Sequence, residues 1–133
     1  MSRPVARPLS PHLSIWKWGP HMLVSILHRV MGVGLATVGV IGFVWWLAAL
    51  ATGREAYETF MSWATSPFAL IVPIGLSFAF FLHMGNGIRH FVLDIGAGYE
   101  LRTNKTGAVV VIVMAFVLTA LMWGYIFLIR GIQ

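Results

Sequence analysis

Residues 83–94 read His83-Met84-Gly85-Asn86-Gly87-Ile88-Arg89-His90-Phe91-Val92-Leu93-Asp94, directly after an uncharged stretch from Thr59 to Leu82. A helix that continues through such a stretch lies at membrane depth. There ionisable side chains are expensive and face a bundle interior, a cofactor or a water-filled cavity. At about 100° per residue, His83, Gly87, His90 and Asp94 fall at roughly 0°, 40°, −20° and 20°. Two imidazoles, a carboxylate and a gap without a side chain therefore share one stripe. Such a stripe suits a flat, partly charged cofactor.

Composition supports the membrane setting. The chain has 133 residues, 59% hydrophobic and 10% charged, with 9 Lys plus Arg against 4 Asp plus Glu. Its mean hydropathy is +0.85. A soluble domain carries about 25% charged residues, so this chain cannot coat a water-facing surface. Uncharged runs cover Val30 to Gly53, Thr59 to Gly87 apart from His83, and Thr106 to Ile129. Each exceeds the ~20 residues that cross a hydrocarbon core. The expected fold is an all-α membrane protein with three transmembrane helices at about 21–51, 67–95 and 107–129, forming the domain 21–133. The basic residues flank apolar spans, which fits snorkelling and orientation better than nucleic-acid binding. There is no cysteine, which excludes disulfides, iron–sulfur ligation by this chain and covalent haem attachment through thioethers. No cleaved signal is expected, because no apolar core with a small-residue cleavage site follows Arg3 and Arg7.

Residues 1–20 are polar, aromatic and proline-rich, with Pro4, Pro8, Pro11 and Pro20 interrupting any helix. They read as an arm on the cytoplasmic (or matrix) side, with Trp16 and Trp18 near the headgroups. The first helix is about 45 Å long, so its first turns, with Ser25, His28 and Arg29, stand at the interface. Gly32, Ala36 and Gly39 continue that stripe at roughly −20°, 20° and −40° from Ser25, a seam of small residues for another helix. Gly53 to Ser62 reads as a short loop. Ser66 and Pro67 form a helix start, Gly96-Ala97-Gly98 a helix end, and Asn104 to Gly107 a turn. Positive charge gathers on the arm, at Arg89 and in the second loop. The positive-inside rule thus places the N-terminus in the cytoplasm and the C-terminus outside.

Several chemistries suit these residues. His83 lies about 10 Å deeper than His90 and can ligate haem iron. Gly87 would then leave room for a porphyrin face, and His90, His28 and Arg29 would meet the propionate edge. A core histidine satisfied by a hydrogen bond is the plainer alternative. Asp94 orients His90 or a partner residue, forms an interfacial pair with His90, or stands exposed with no role. Ser25 and Arg29 offer a hydroxyl and a guanidinium to a quinone carbonyl, where a cation favours reduction. Arg89, about 120° off the stripe, can snorkel, contact lipid phosphate or bind a partner.

Three motifs taken together, Arg7-Pro8-Leu9-Ser10-Pro11-His12-Leu13, Ser25-Ile26-Leu27-His28-Arg29 and His83-x3-Gly87-Ile88-Arg89-His90-x3-Asp94, strongly resemble the cytochrome b556 subunits of succinate dehydrogenase. These are the larger membrane anchors of succinate:quinone oxidoreductase, respiratory complex II. Two departures are Met31, where the family usually has Ser or Thr, and Leu93, where it has an aromatic residue or Met.

The resemblance implies haem b with His83 as an axial iron ligand and the second histidine from the small anchor subunit, which completes the bundle. It implies ubiquinone as substrate, bound in part by Ser25 and Arg29, with His28, Arg29 and His90 near the propionates. The implied partners are the flavoprotein, iron–sulfur and small anchor subunits, the arm 1–20 docking the iron–sulfur subunit. The implied location is the bacterial inner membrane. The chain would not catalyse succinate oxidation alone; it would contribute to the quinone site. An anchor of fumarate reductase, or a non-redox transporter or scaffold subunit with a histidine proton path, are the competing functions.

Overall fold

The computed structural model describes residues 16–130. The docking arm expected over residues 1–20 therefore lies outside the described residues up to position 15. From Trp16 onward the chain is all α among the described residues, with three helices long and apolar enough to cross a membrane: Pro20–Thr52, Ile71–Asp94 and Leu101–Arg130. The three pack against one another, and most of their outer surface is apolar and exposed. In water that surface would be a liability; in a bilayer it is the lipid- and partner-facing side.

Proline at the first helical position begins the first helix, where a missing N–H is harmless. The helix is not uniform. Leu35–Gly39 form a π-helical turn between α-helical Pro20–Gly34 and Val40–Thr52. Thr37 Oγ1 donates to the Val33 carbonyl at 2.8 Å, competing for the acceptor of its own backbone N–H, and the turn widens to meet Val40 N–H at Leu35. Gly32 and Gly39 both face the second helix, beside His83 and Leu76. Ala36, expected on the same seam, is exposed.

The segment expected as a loop after Gly53 is instead a helix, Arg54–Ala64. Gly53, at φ 128°, turns the chain back. An Arg54–Glu58 ion pair one turn apart and a half-buried stripe of Tyr57, Phe60, Met61 and Ala64 then support the helix. Phe60 and Trp63 each pack on Trp45 of the first helix, with ring centroids 5.0 Å apart.

Ser66 Oγ accepts from Ala69 N–H at 3.4 Å, but residues 67–70 form only turns, and the second helix begins at Ile71. Pro73 explains the delay: it cannot donate to Ala69, whose carbonyl instead accepts from Val72. The helix ends in a Schellman motif, Ala97 N–H on Val92 and Gly96 N–H on Leu93, with Gly96 at φ 84°.

The third helix starts at Leu101, six residues before the expected Gly107, and the sequence turn at Asn104–Gly107 is helical. Asn104 donates its N–H to the Glu100 carbonyl, and its side chain is engaged by Arg89 of the second helix. Tertiary contact overrides local turn preference there. The interface is close because Gly85 of the second helix faces Met114 and Val111. Val24, Ala108 and Val111 make the small buried core shared by the first and third helices. Further along, Trp123 Nε1 donates to Ser77 Oγ at 3.2 Å.

Candidate functional site

The stripe expected on the second helix meets the first helix at His83. There the His83 imidazole lies against Gly32. A Cβ built on Gly32 would stand 2.9 Å from His83 Cε1 and 3.2 Å from Nδ1, closer than a side-chain carbon is tolerated. The ring fits because Gly32 has no side chain. His83 Nδ1 donates to the backbone carbonyl of His28 at 3.0 Å. A carbonyl oxygen only accepts, so the proton belongs on Nδ1 and the lone pair on Nε2. Metal-bound histidines are held the same way, through a hydrogen bond from the other ring nitrogen.

His28 contributes its side chain as well as its carbonyl. Its ring stacks on His83, centroids 3.8 Å apart and planes within 6°, and stands 5.6 Å from His90. The two histidines of the second helix thus sit either side of an imidazole from the first. His28 Nδ1 is buried without a hydrogen-bond partner. A buried polar atom of that kind calls for an acceptor or donor from a bound group.

Gly87 is half-buried, and a Cβ there would meet nothing within 4 Å. Several glycines elsewhere on the outer surface are equally open, so the space matters here only because Gly87 shares the face of His83. His90 and Asp94 are exposed, and among the described residues no hydrogen bond or ion pair joins them. The structure does not bring Asp94 to His90 as an orienting partner. Ser25 is half-buried and Arg29 exposed at the same end of the bundle, and neither side chain is hydrogen-bonded among the described residues. Arg89 does not extend to the surface. It is half-buried and bonded to Asn86 and Asn104.

These residues fit a haem on chemical grounds. One imidazole has its tautomer set for ligation through Nε2, a glycine notch holds it, and an unpartnered ring nitrogen lies beside it. Among the described residues no cluster of three or more potential metal ligands exists. Cavities of about 570, 420 and 170 Å³ lie elsewhere. They sit beside Trp45 and Arg54, between Phe78 and Trp123, and around Gly42 and Pro73. None is lined by a residue of the stripe. Gly32 is the site residue that residue patterning assigned only to packing. The signal was its place one turn after His28 on a helix expected to approach the second.

Known proteins share this sequence over most of its length. The family model described as the succinate dehydrogenase/fumarate reductase transmembrane subunit matches residues 3–122. A Rickettsia felis protein named succinate dehydrogenase cytochrome b556 subunit is 36% identical over 88% of this chain and 90% of its own length. The Paracoccus denitrificans protein of that name is 30% identical over 86% and 88%. The human mitochondrial cytochrome b560 subunit of succinate dehydrogenase is 38% identical over 81% of this chain and 64% of its own.

Proposed function

The chain belongs to the succinate dehydrogenase/fumarate reductase transmembrane-subunit family, and we propose that it anchors a succinate dehydrogenase, holds haem b through His83 and forms part of a ubiquinone-reduction site. The observation that carries the haem assignment is the His83 Nδ1–H bond to the His28 carbonyl in the notch left by Gly32. A core histidine satisfied by a hydrogen bond would use this same bond. The family membership and the unpartnered Nδ1 of His28 beside it favour the ligand.

Haem b, when bound, offers a one-electron station of tunable potential within the membrane. The second axial imidazole comes, in this reading, from the small anchor subunit, and the flavoprotein and iron–sulfur subunits dock on the side of residues 1–20. His83 presents the Nε2 lone pair. The His28 carbonyl keeps the proton on Nδ1 and fixes the ring plane. His28, Arg29 and His90 would meet the carboxylates of the haem. Gly87 leaves the face open.

Ser25 and Arg29 serve the quinone. Reduction builds negative charge on the quinone oxygens. A hydroxyl that donates and a guanidinium that remains charged stabilise that state more than the neutral quinone. Ser25→Ala and Arg29→Ala are each expected to lower succinate:quinone reductase activity, roughly 10- to 100-fold for the arginine. Succinate oxidation by a soluble dye should persist, because that reaction ends before the quinone. Wild-type quinone reduction in both variants would remove the site from this pair.

Orientation follows from charge. Lys17, Arg29, Arg89, Arg102 and Lys105, with Asp94 and Glu100, stand at the end of the bundle that carries His28 and His90, whereas the other end has Arg54 and Arg130 with Glu55 and Glu58. We assign the first end to the cytoplasm of a bacterial inner membrane and the C-terminus to the periplasm. A reduced-minus-oxidised spectrum of the purified complex, with its subunits identified, tests the whole reading. A b-type signal in a complex with flavin and iron–sulfur subunits is the expected result. Purification without either would defeat it.

A further inference from the structure

Arg89 takes no part in the site described above, yet its surroundings are specific. Its Nη1 donates to Asn86 Oδ1 at 3.0 Å, and its Nη2 donates to Asn104 Oδ1 on the third helix. Its Cδ and Nε lie 3.7 Å from where a Cβ on Gly107 would stand. Asn86 is fully buried, and its Nδ2 has no partner. An unmatched buried donor is unfavourable, so the amide is turned by the guanidinium that its oxygen accepts from. The neighbouring Gly85 permits the close helix contact that brings Asn104 within reach.

Both acceptors are neutral amides. Among the described residues the one ion pair joins Arg54 and Glu58, far from Arg89. The guanidinium has fixed hydrogen bonds and no ion-pair partner among the described residues, on the same helix as His83, six residues along it (about 9 Å of rise) and about 120° around it. An arginine needed only to tie two helices together would be matched better by a carboxylate, which a short polar position such as 104 accommodates.

Resting on the haem reading of His83, we propose that Arg89 is a positioning residue whose amide clasp, Asn86 and Asn104, holds an uncancelled positive charge that raises the reduction potential at the His83 site. Adding an electron lowers the charge there, so a fixed cation favours the reduced form. With the two side chains on different faces of the helix, a unit charge about 15 Å away in a medium of effective dielectric ~20 alters a one-electron equilibrium roughly fivefold, where tenfold is 59 mV for one electron.

Potentiometric titration of the purified complex tests this with Arg89→Gln, Arg89→Lys and Asn104→Asp. Arg89→Gln removes the charge, and Asn104→Asp keeps the shape and the acceptor while cancelling it. Both are expected to lower the midpoint, by roughly fivefold in the equilibrium, and Arg89→Lys to stay near wild type. Should Arg89→Gln fail to assemble, Asn104→Asp decides. Wild-type midpoints in the assembled Arg89→Gln and Asn104→Asp complexes would overturn the inference, as would a lowered yield with an unmoved midpoint, the mark of a purely structural clasp. A wild-type complex with no b-type spectrum would overturn the haem reading and this inference with it. A normal wild-type spectrum with unmoved variants would overturn this inference alone.

Discussion

His83→Leu is expected to remove the low-spin b-type spectrum of the purified complex. Either haem content falls, or the haem that stays shows an altered spectrum and a shifted midpoint, because leucine has no lone pair to offer iron. The substitution also deletes the Nδ1–H bond to the His28 carbonyl and the stacked ring. Leucine is close to histidine in volume, and His83 is only half-buried, so the helices should still pack and the soluble subunits co-purify. The measurement is a reduced-minus-oxidised spectrum with a potentiometric titration, normalised to subunit content. An unchanged spectrum and midpoint would show that iron is held by another residue.

Gly32→Val should approach the same outcome from the other helix. The first atom of any side chain at position 32 would stand 2.9 Å from His83 Cε1, and the neighbour is a ring held by a hydrogen bond, not a flexible chain end. The imidazole must swing away, and its bond to His28 is stretched or lost. Removing the outer partner of a ligating histidine typically weakens the metal about 10- to 100-fold. Valine, branched at Cβ, should act more strongly than alanine, whose single Cβ already stands closer to the ring than is tolerated. Haem content per complex is the readout, in the order wild type, Gly32→Ala, Gly32→Val. Full haem with a native spectrum in Gly32→Val would mean that the ring does not use this notch.

The two variants differ in what residue patterning can see. His83 was legible because an ionisable residue in an apolar run is rare, and because His90 and Asp94 repeat at helical spacing. Gly32 was legible only as a small residue on a packing seam. Which side chain it makes room for depends on how the two helices are rotated and shifted against each other. Arg89 shows the same limit more sharply. From sequence it had three possible destinations, and it takes none of the solvent- or lipid-facing ones. The acceptor that holds it, Asn104, lies in a segment whose local preference is for a turn, and the contact with Arg89 helps keep that segment helical. The amphipathic helix Arg54–Ala64 was missed for a simpler reason. Its charged first turn resembles a loop, and its stripe of Tyr57, Phe60, Met61 and Ala64 is short.

Sequence by itself determined the membrane class, the three spans, the helical face that carries His83 and Gly87, and the family. The family rests on the resemblance of three motifs; the others rest on periodicity or composition along one chain, which a helix preserves whatever it packs against. Only the tertiary structure decided which nitrogen of His83 carries the proton, that Gly32 forms the notch, that His28 lies between the two histidines of the second helix, and that Arg89 faces inward. These depend on the relative rotation and depth of separate helices. Close packing of small residues, at Gly32 against His83 and at Gly85 against Met114, sets that arrangement across segments far apart in the chain.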